Sequence, residues 1–121
     1  MSKFVIRKSA TGWKFDLMAT NGQVILCSEV YTTLAAVKKG IESIRKSVPT
    51  ANVENRCEEG WAVMRHPKFE MYQDKAGEYR FRLRARNGKI VGISEGYSNK
   101  AGCLNGIESV MKNAPQAEIE G

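Results

Sequence analysis

The stretch RFRLRARNGKIVGISEGYSNK, residues 80–100, decides the fold of this chain. Charged and apolar residues alternate up to Asn87-Gly88, a pair that is typical of the tight turn in a β-hairpin, and an apolar strand follows the turn. After Ser-Glu-x-Tyr, apolar residues recur at helical spacing. The stretch therefore predicts two antiparallel strands that lead into a helix.

A near copy of this stretch runs from Lys14 to Leu34, 66 residues earlier in the chain. The tetrapeptide Gly-Ile-Glu-Ser of the predicted helix also occurs twice, at residues 40–43 and 106–109. Self-similarity at a fixed period indicates an internal duplication. We therefore predict an α+β fold with two β3-α-β repeats and a linker between them, at residues 1–54, 68–121 and 55–67.

The predicted helices begin at residues that commonly cap helices. In the first repeat, Thr32 or Thr33 precedes a helix at residues 34–47, and in the second, Ser98 or Asn99 precedes its counterpart. Each helix contains a glycine, which costs about 1 kcal/mol in a helix interior, so we expect each helix to pass close to the sheet there. Outside the central hairpin, we predict strands at residues 3–8, 13–20, 23–29, 51–54, 69–73 and 117–120.

Strand alternation separates a core face from a polar face. With Asn87-Gly88 as a two-residue type I′ turn, Ala85 faces Ile90 and Leu83 faces Gly92. The predicted core face of the second repeat consists of Tyr79, Phe81, Leu83, Ala85 and Ile90, and that of the first consists of Trp13, Phe15, Leu17, Ala19, Val24 and Leu26. Both helices are expected on this face, the second through Cys103, Leu104, Ile107, Val110 and Met111. The opposite face carries Arg80, Arg82, Arg84 and Arg86, with Val91 and Ile93 beside them.

Composition narrows the class of protein. The 121 residues suit one compact domain, and no apolar run approaches the roughly 20 residues of a membrane span. The amino terminus lacks the apolar core of a signal peptide, so we expect a cytoplasmic protein with no membrane partner. We also expect a monomer, because the chain already carries both repeats. Three cysteines without C-x-x-C spacing and a single histidine, His66, favour neither a disulfide framework nor a metal site, and we expect no cofactor. The net charge of +6 is compatible with a polyanion partner.

Both repeats resemble the YegP-like tandem-repeat domain family, and the second repeat matches its pattern best. The matching residues are Phe69, Tyr72, Asp74, Gly77, Tyr79, Arg80, Arg82, Leu83, Ala85, Asn87, Gly88, Ser94, Gly96, Tyr97, Lys100, Gly106, Ile107, Ser109, Val110, Asn113 and Ala114. The resemblance implies that both repeats share one largely antiparallel sheet and exchange their final strands, and it implies no activity. The first repeat departs from the pattern at Arg7, Ser9, Val30 and Leu34, so any role of these positions would belong to the second repeat.

The arginine stripe of the second repeat is the most suggestive feature for function. Alternate side chains of a strand project at intervals of about 6.8 Å, near the spacing of phosphates in an extended nucleic acid, and the guanidinium fork suits phosphate oxygens. The alternative is a solvated face neutralised by neighbours: Arg80 lies opposite Glu95 in the predicted register, as Lys14 does opposite Glu29. Glu70 and Asp74 could also flank the stripe from the preceding strand. The candidate anion-binding residues are Arg82, Arg84, Arg86, Tyr72 and Lys100.

Three classes of function follow. The first is a small binding or scaffold module without catalysis, and the second, its sharpest form, is weak binding of nucleic acid or another polyanion by the arginine face. An enzyme would have to use Cys57 and His66 as nucleophile and base. The linker either covers a sheet edge or core end, with Trp61 to Met64 extending a strand, or forms a ligand surface around Trp61 and His66.

Overall fold

The computed structural model describes residues 1–121, and its elements follow the predicted order twice. The first repeat contains β1 (Lys3–Lys8), β2 (Trp13–Met18), β3 (Val24–Cys27), α1 (Leu34–Ser47) and β4 (Asn52–Asn55). The second repeat contains β5 (Lys68–Gln73), β6 (Tyr79–Arg84), β7 (Ile90–Ile93), α2 (Lys100–Asn113) and β8 (Glu118–Glu120). A single turn of 3-10 helix follows each α-helix, at Val48–Thr50 and Ala114–Gln116.

All eight strands form one sheet in the order β4-β5-β6-β7-β3-β2-β1-β8. The last strand of each repeat leaves its own unit: β4 pairs in parallel with β5, and β8 pairs in parallel with β1. The other pairings are antiparallel, and β3 meets β7 at the centre through Cys27 and Ile93. The α+β fold of two repeats is confirmed, and the sheet contains the strand exchange that the family resemblance implies.

Side-chain caps start both helices at predicted positions. The Thr33 hydroxyl accepts a hydrogen bond from the Ala36 amide at 3.1 Å, and the Asn99 side chain accepts one from Gly102 at 2.7 Å. Each cap satisfies an amide that the first turn of a helix would otherwise leave unpaired. Both helices therefore begin within one residue of their predicted positions.

The core lies between the helices and one face of the sheet, as predicted. Phe4 and Phe15 pack edge to face with ring centroids 5.8 Å apart, and Phe69 and Phe81 repeat the arrangement at the same distance. A Cβ atom at Gly40 would lie only 2.7 Å from the Tyr31 hydroxyl. The helices thus need glycine where they cross the sheet, which confirms the predicted close approach. In α2, however, Leu104 is exposed, because it lies one residue from Cys103 and turns away from the core.

The hairpin turn differs from the predicted type. Only Gly88 has a positive φ there (85°), whereas a type I′ turn needs one at Asn87 as well. Gly88 N–H donates to the Ala85 carbonyl and Ala85 N–H to the Lys89 carbonyl, both at 2.9 Å, which is a three-residue loop ending in a left-handed glycine.

A bulge in β7, the second strand of this hairpin, compensates for the extra loop residue. The register shifts between Leu83 and Arg84, so that Leu83 still faces Gly92 but Ala85 no longer faces Ile90. Val91 enters the core in place of Ile90. The first repeat has the same turn at Gly22, and there Ile25 is buried where Val24 was expected.

Candidate anion-binding surface

Three of the four stripe arginines lie on the outer face of the sheet, opposite the helices. On this face three residues of β5 lie opposite three arginines of β6. Lys68 pairs with Arg84, Glu70 with Arg82, and Tyr72 with Arg80. The glutamate of β5 therefore stands directly next to the stripe. The suggestion that a carboxylate of the preceding strand flanks the arginines is confirmed.

Glu70 is the centre of this face. Its side chain is 2% exposed and accepts hydrogen bonds from Arg82 Nε at 2.5 Å, Arg84 Nε at 2.7 Å and Arg56 Nη2 at 2.8 Å. Burial alone would raise the pKa of this carboxyl, but the bonds from Arg82 and Arg84 outweigh burial and hold the pKa at about 2. Glu70 is therefore ionised at neutral pH.

A second buried carboxylate, Glu54, comes from the exchanged strand β4. It accepts hydrogen bonds from Lys68 Nζ at 2.6 Å, Arg56 Nε at 2.7 Å and the Met64 amide at 2.7 Å. Burial raises the pKa of Glu54, yet these bonds lower it below its ordinary value. Lys68 itself is only 4% exposed and also lies 3.3 Å from Glu70. Ion pairs this well buried need such a full set of hydrogen bonds to offset desolvation.

These contacts define a group that we call the outer cluster, which consists of Arg56, Lys68, Arg82, Arg84, Glu54 and Glu70. Four cations surround two carboxylates, so the outer cluster carries a formal charge of +2. The neutralisation is thus only partial, and the positive excess lies on guanidinium groups that remain partly exposed.

Some guanidinium nitrogens of the outer cluster have no protein partner. Arg82 donates to Glu70 through Nε alone, and Arg84 uses Nε for Glu70 and Nη1 for the Gly88 carbonyl. Both Nη atoms of Arg82 and Nη2 of Arg84 are therefore free donors. They can bind an acceptor from outside the protein without breaking an internal bond.

Two aromatic rings flank the outer cluster. The guanidinium of Arg82 stacks over Tyr72 with its carbon 4.8 Å from the ring centroid, and that of Arg56 stacks over Trp61 at 4.9 Å. Arg56 and Trp61 come from the linker, which also approaches the edge strand β4 through a hydrogen bond from Asn52 to the Arg65 carbonyl. The linker therefore packs beside this sheet edge, and Trp61 to Met64 forms no strand.

The remaining stripe residue on this face, Arg80, pairs with Asp74, one of the two carboxylates suggested to flank the stripe, and not with Glu95. It donates to Asp74 at 2.7 Å and to the Ser94 carbonyl at 3.2 Å, and it makes no ion pair with Glu95. The hydrogen bond from Arg80 lowers the pKa of Asp74. The suggested flanking by Asp74 is therefore confirmed, whereas the predicted pair with Glu95 was wrong because Asp74, in the turn before the hairpin, binds the guanidinium group instead.

In the first repeat, the Lys14–Glu29 ion pair is likewise absent, and Arg7 instead binds Asp16 at 2.9 Å. Here the pairing partner lies on the neighbouring strand, since β1 supplies Arg7 and β2 supplies Asp16. In both repeats, a contact with the strand or turn that precedes the hairpin therefore replaces the predicted pair within it.

Two candidate residues lie away from the outer cluster. Arg86 is exposed in the β6–β7 turn, where it lines a cleft against Ser43 and Lys46 of α1. Its prediction as a fourth stripe member was wrong, because the strand ends at Arg84 and the turn redirects the chain. Lys100 begins α2, and its Nζ lies 3.5 Å from the Cys57 carbonyl.

The residues considered for catalysis are not brought into an activated pair. Burial raises the pKa of Cys57, and it raises the pKa of Cys27 and of Cys103 to about 11, so all three free cysteines are protonated at neutral pH. The His66 ring lies beside Gly88. No three metal-ligating side chains come together, and neither helix has the length and apolar character needed to cross a bilayer.

Sequence reasoning missed three members of the outer cluster: Glu54, Arg56 and Lys68. They lie on β4, on the linker and at the start of β5, and only the strand exchange makes them neighbours. Glu54 and Lys68 could have been identified as charged residues at strand positions, where an isolated buried charge is costly. Arg56 gives no such signal, because it lies in the linker.

Comparison with known proteins agrees with the architecture. Two segments, residues 9–55 and 74–120, match the family described as "Domain of unknown function (DUF1508)". The UPF0339 protein YegP of Yersinia pestis is 32% identical over 121 residues, which cover 99% of this chain and 95% of that protein. A UPF0339 protein of Methanosarcina acetivorans is 60% identical over 52 residues, 43% of this chain but 90% of that protein, so it has about the length of one repeat.

Solved structures show the same fold. The solution NMR structure of a UPF0339 protein from Shewanella oneidensis has a TM-score of 0.81 and 32% identity, covering 98% of this chain and 89% of that one. The solution NMR structure of yegP from E. coli, described as a protein of unknown function, has a TM-score of 0.78 and 31% identity, covering 98% and 90%. With two family matches and a relative aligned over nearly its full length, the chain belongs to the DUF1508 family of UPF0339/YegP-like proteins.

Proposed function

We propose that this protein is a non-catalytic binding module of the cytoplasm whose outer cluster binds an extended polyanion, with single-stranded nucleic acid as the best fit. The observation that carries the proposal is the charge of the outer cluster, +2, combined with its free guanidinium nitrogens. Charges in a partly buried site interact more strongly than charges in bulk water. An anion that binds the free donors therefore gains from the uncompensated charge.

The geometry suits phosphates on a flexible strand. Arg82 and Arg84 are two residues apart on β6, so their side chains emerge about 6.8 Å from each other. Phosphate oxygens can accept from the free Nη atoms while Glu70 keeps both Nε atoms in place. Tyr72 and Trp61 lie at the two sides of the outer cluster and offer rings on which bases could stack, a common device in single-strand binding.

The first repeat lacks this arrangement, which makes it an internal comparison. Strand pairing places Val5, Asp16 and Met18 where the second repeat has Glu70, Arg82 and Arg84. Its outer face carries two ion pairs, Arg7 with Asp16 and Lys3 with Glu120, which are balanced in charge. The proposed site therefore occurs only at the end of the sheet formed by β4, β5 and β6, although the backbone arrangement occurs twice.

Fluorescence anisotropy of a labelled single-stranded oligonucleotide at low salt tests the proposal. Arg84→Gln removes one positive charge but retains a hydrogen-bond donor for Glu70, and it should weaken binding. Tyr72→Ala removes one aromatic ring and should weaken binding by roughly 5- to 100-fold if the ring stacks on a base. Arg7→Gln removes the same charge from the same face in the first repeat and serves as the control. No measurable binding, or an equal effect of all three variants, would refute a localised site.

A protein partner is the second candidate, favoured by the exposed apolar side chains of the linker. Val63 is 75% exposed, and Trp61 and Met64 are partly exposed beside it. Affinity purification from lysate, with and without nuclease treatment, separates the two candidates. Nucleic-acid binding predicts that co-purified material disappears after nuclease, whereas a protein that is retained after nuclease would favour the linker surface.

A further inference from the structure

A second basic site lies on the helix side of the sheet, between α1 and the β6–β7 turn. This cleft, which we call the α1 cleft, has a volume of about 440 Å³. Small-molecule sites usually occupy some 300–1,000 Å³. Its lining consists of Ser43, Lys46, Ser47, Ala85, Arg86 and Asn87. The α1 cleft is formed by both repeats, since the helix comes from the first and the turn from the second.

The charges of the α1 cleft are unbalanced. Lys46 and Arg86 make no ion pair, and no acidic side chain lines the α1 cleft. The nearest carboxylate on the helix, Glu42, is engaged by Arg45 at 2.7 Å. A shallower depression that shares Ser43 and Lys46 continues along α1, where Lys38, Lys39 and Glu42 line it, so its cations outnumber its one carboxylate. The α1 cleft is therefore the deeper end of a continuous basic surface.

Neutral donors accompany the two cations. The hydroxyls of Ser43 and Ser47 make no side-chain hydrogen bond, and Asn87 uses only its oxygen, which accepts from the Lys89 amide at 3.0 Å. The last turn of a helix carries partial negative charge, so the helix itself does not attract an anion here. The attraction must come from Lys46 and Arg86, with hydroxyl and amide groups as additional donors.

The pseudo-symmetric cleft on the other half of the molecule lacks this chemistry. It has about 500 Å³ and lies between α2 and the β2–β3 turn, with Thr20 in the place of Arg86. Glu108 lines it together with Lys112, so its charges balance. Its serine, Ser109, is already bonded by Asn113 at 3.2 Å. The same backbone thus forms one cleft suited to an anion and one that is not.

We propose that the α1 cleft binds a small phosphorylated molecule, with the phosphate between Arg86 and Lys46. The guanidinium fork of Arg86 suits two phosphate oxygens, Lys46 supplies a second positive charge, and the serine hydroxyls can donate to the remaining oxygens. The lysines along α1 would accept a second phosphate of the same ligand. This site is separate from the outer cluster, and neither proposal depends on the other.

Titration of the ¹⁵N-labelled protein with inorganic pyrophosphate, followed by amide chemical shifts at constant ionic strength, tests the proposal. We expect saturable shifts at Ser43, Ser47 and Asn87 and none at their counterparts Ser109, Asn113 and Asn21. Arg86→Thr, which installs the side chain of the other cleft at an exposed position, should raise the apparent Kd about tenfold or more.

The matched control is Lys112→Gln, which removes a cation from the other cleft and should leave the Kd for pyrophosphate unchanged. Citrate, an anion of similar charge, should bind at least about tenfold more weakly if the fork recognises phosphate. Shifts of equal size in both clefts, an unchanged Kd in Arg86→Thr, or equal affinity for citrate would each overturn the proposal.

Discussion

Replacing Glu70 by glutamine should strongly destabilise the protein. The change preserves the size of the side chain but removes the charge that three guanidinium groups and Lys68 share. It also raises the formal charge of the outer cluster from +2 to +3 around a site that is 2% exposed. Removing one partner of a buried ion pair costs about 3–5 kcal/mol, a large part of the 5–15 kcal/mol that stabilises a domain of this size.

Urea denaturation measures this loss directly. With a dependence on denaturant of about 2 kcal/mol per molar, the midpoint of unfolding should fall by about 2 M in Glu70→Gln. The control is Glu120→Gln, the same change in a glutamate that is 60% exposed and bonded to Lys3 alone, and it should cost less than about 1 kcal/mol. A loss below 1 kcal/mol in Glu70→Gln would contradict the idea that Glu70 holds the outer cluster together.

Acid titration gives an independent check of the same residue. The pKa of Glu70 is about 2 in the folded protein and about 4.3 in an unfolded chain, so its contribution is complete above pH 4.3 and is lost as the pH falls to 2. Between these pH values, the free energy of unfolding should therefore fall less in Glu70→Gln than in the wild type. Parallel pH profiles of the two proteins would show that the carboxylate is not preferentially stabilised in its ionised form.

Three further predictions concern the core and the duplication. Phe81→Ala should cost about 3–5 kcal/mol in chemical denaturation because Phe81 is fully buried, and a loss below 1 kcal/mol would be incompatible with that burial. Gly106→Ala should destabilise the folded protein despite the better helix propensity of alanine, because the new Cβ would lie 2.7 Å from Tyr97 Cζ. In a double-mutant cycle, Tyr97→Phe, which removes the hydroxyl, should restore part of the lost stability. The fragment 1–54 should dimerise or unfold, because its β1 and β4 lose their partner strands, whereas the intact chain should be monomeric; a monomeric folded fragment in ultracentrifugation would contradict this.

Local signals explain why so much of the fold was predictable. The caps at Thr33 and Asn99, and the glycines at Gly40 and Gly106, act within one turn of a helix or one contact with the sheet, so the sequence contains the information nearly intact. The turn type was not determined in this way, because Asn-Gly fits more than one kind of hairpin loop. Because the observed loop has three residues, β7 contains a bulge that buries Val91 in the core instead of Ile90.

The site was less predictable than the fold because its contacts are not local. Alternation correctly placed Arg82 and Arg84 on the outer face, but their partner Glu70 is on another strand, and Glu54 arrives from the other repeat. Within the hairpin Arg84 binds only the Gly88 carbonyl and no acidic side chain; its carboxylate comes from β5. Pairing between strands distant in sequence must be known before such a cluster can be identified.

The salt dependence of oligonucleotide binding tests the central claim most directly. Each phosphate contact on a single strand contributes about 0.7 to the slope of log K against log salt, because binding releases counterions. We predict a steep negative slope for the wild type, a slope lower by about 0.7 for Arg84→Gln, and an unchanged slope for Arg7→Gln. A wild-type protein that does not bind at low salt, or an Arg84→Gln variant with the wild-type slope, would contradict the claim that the outer cluster binds polyanions.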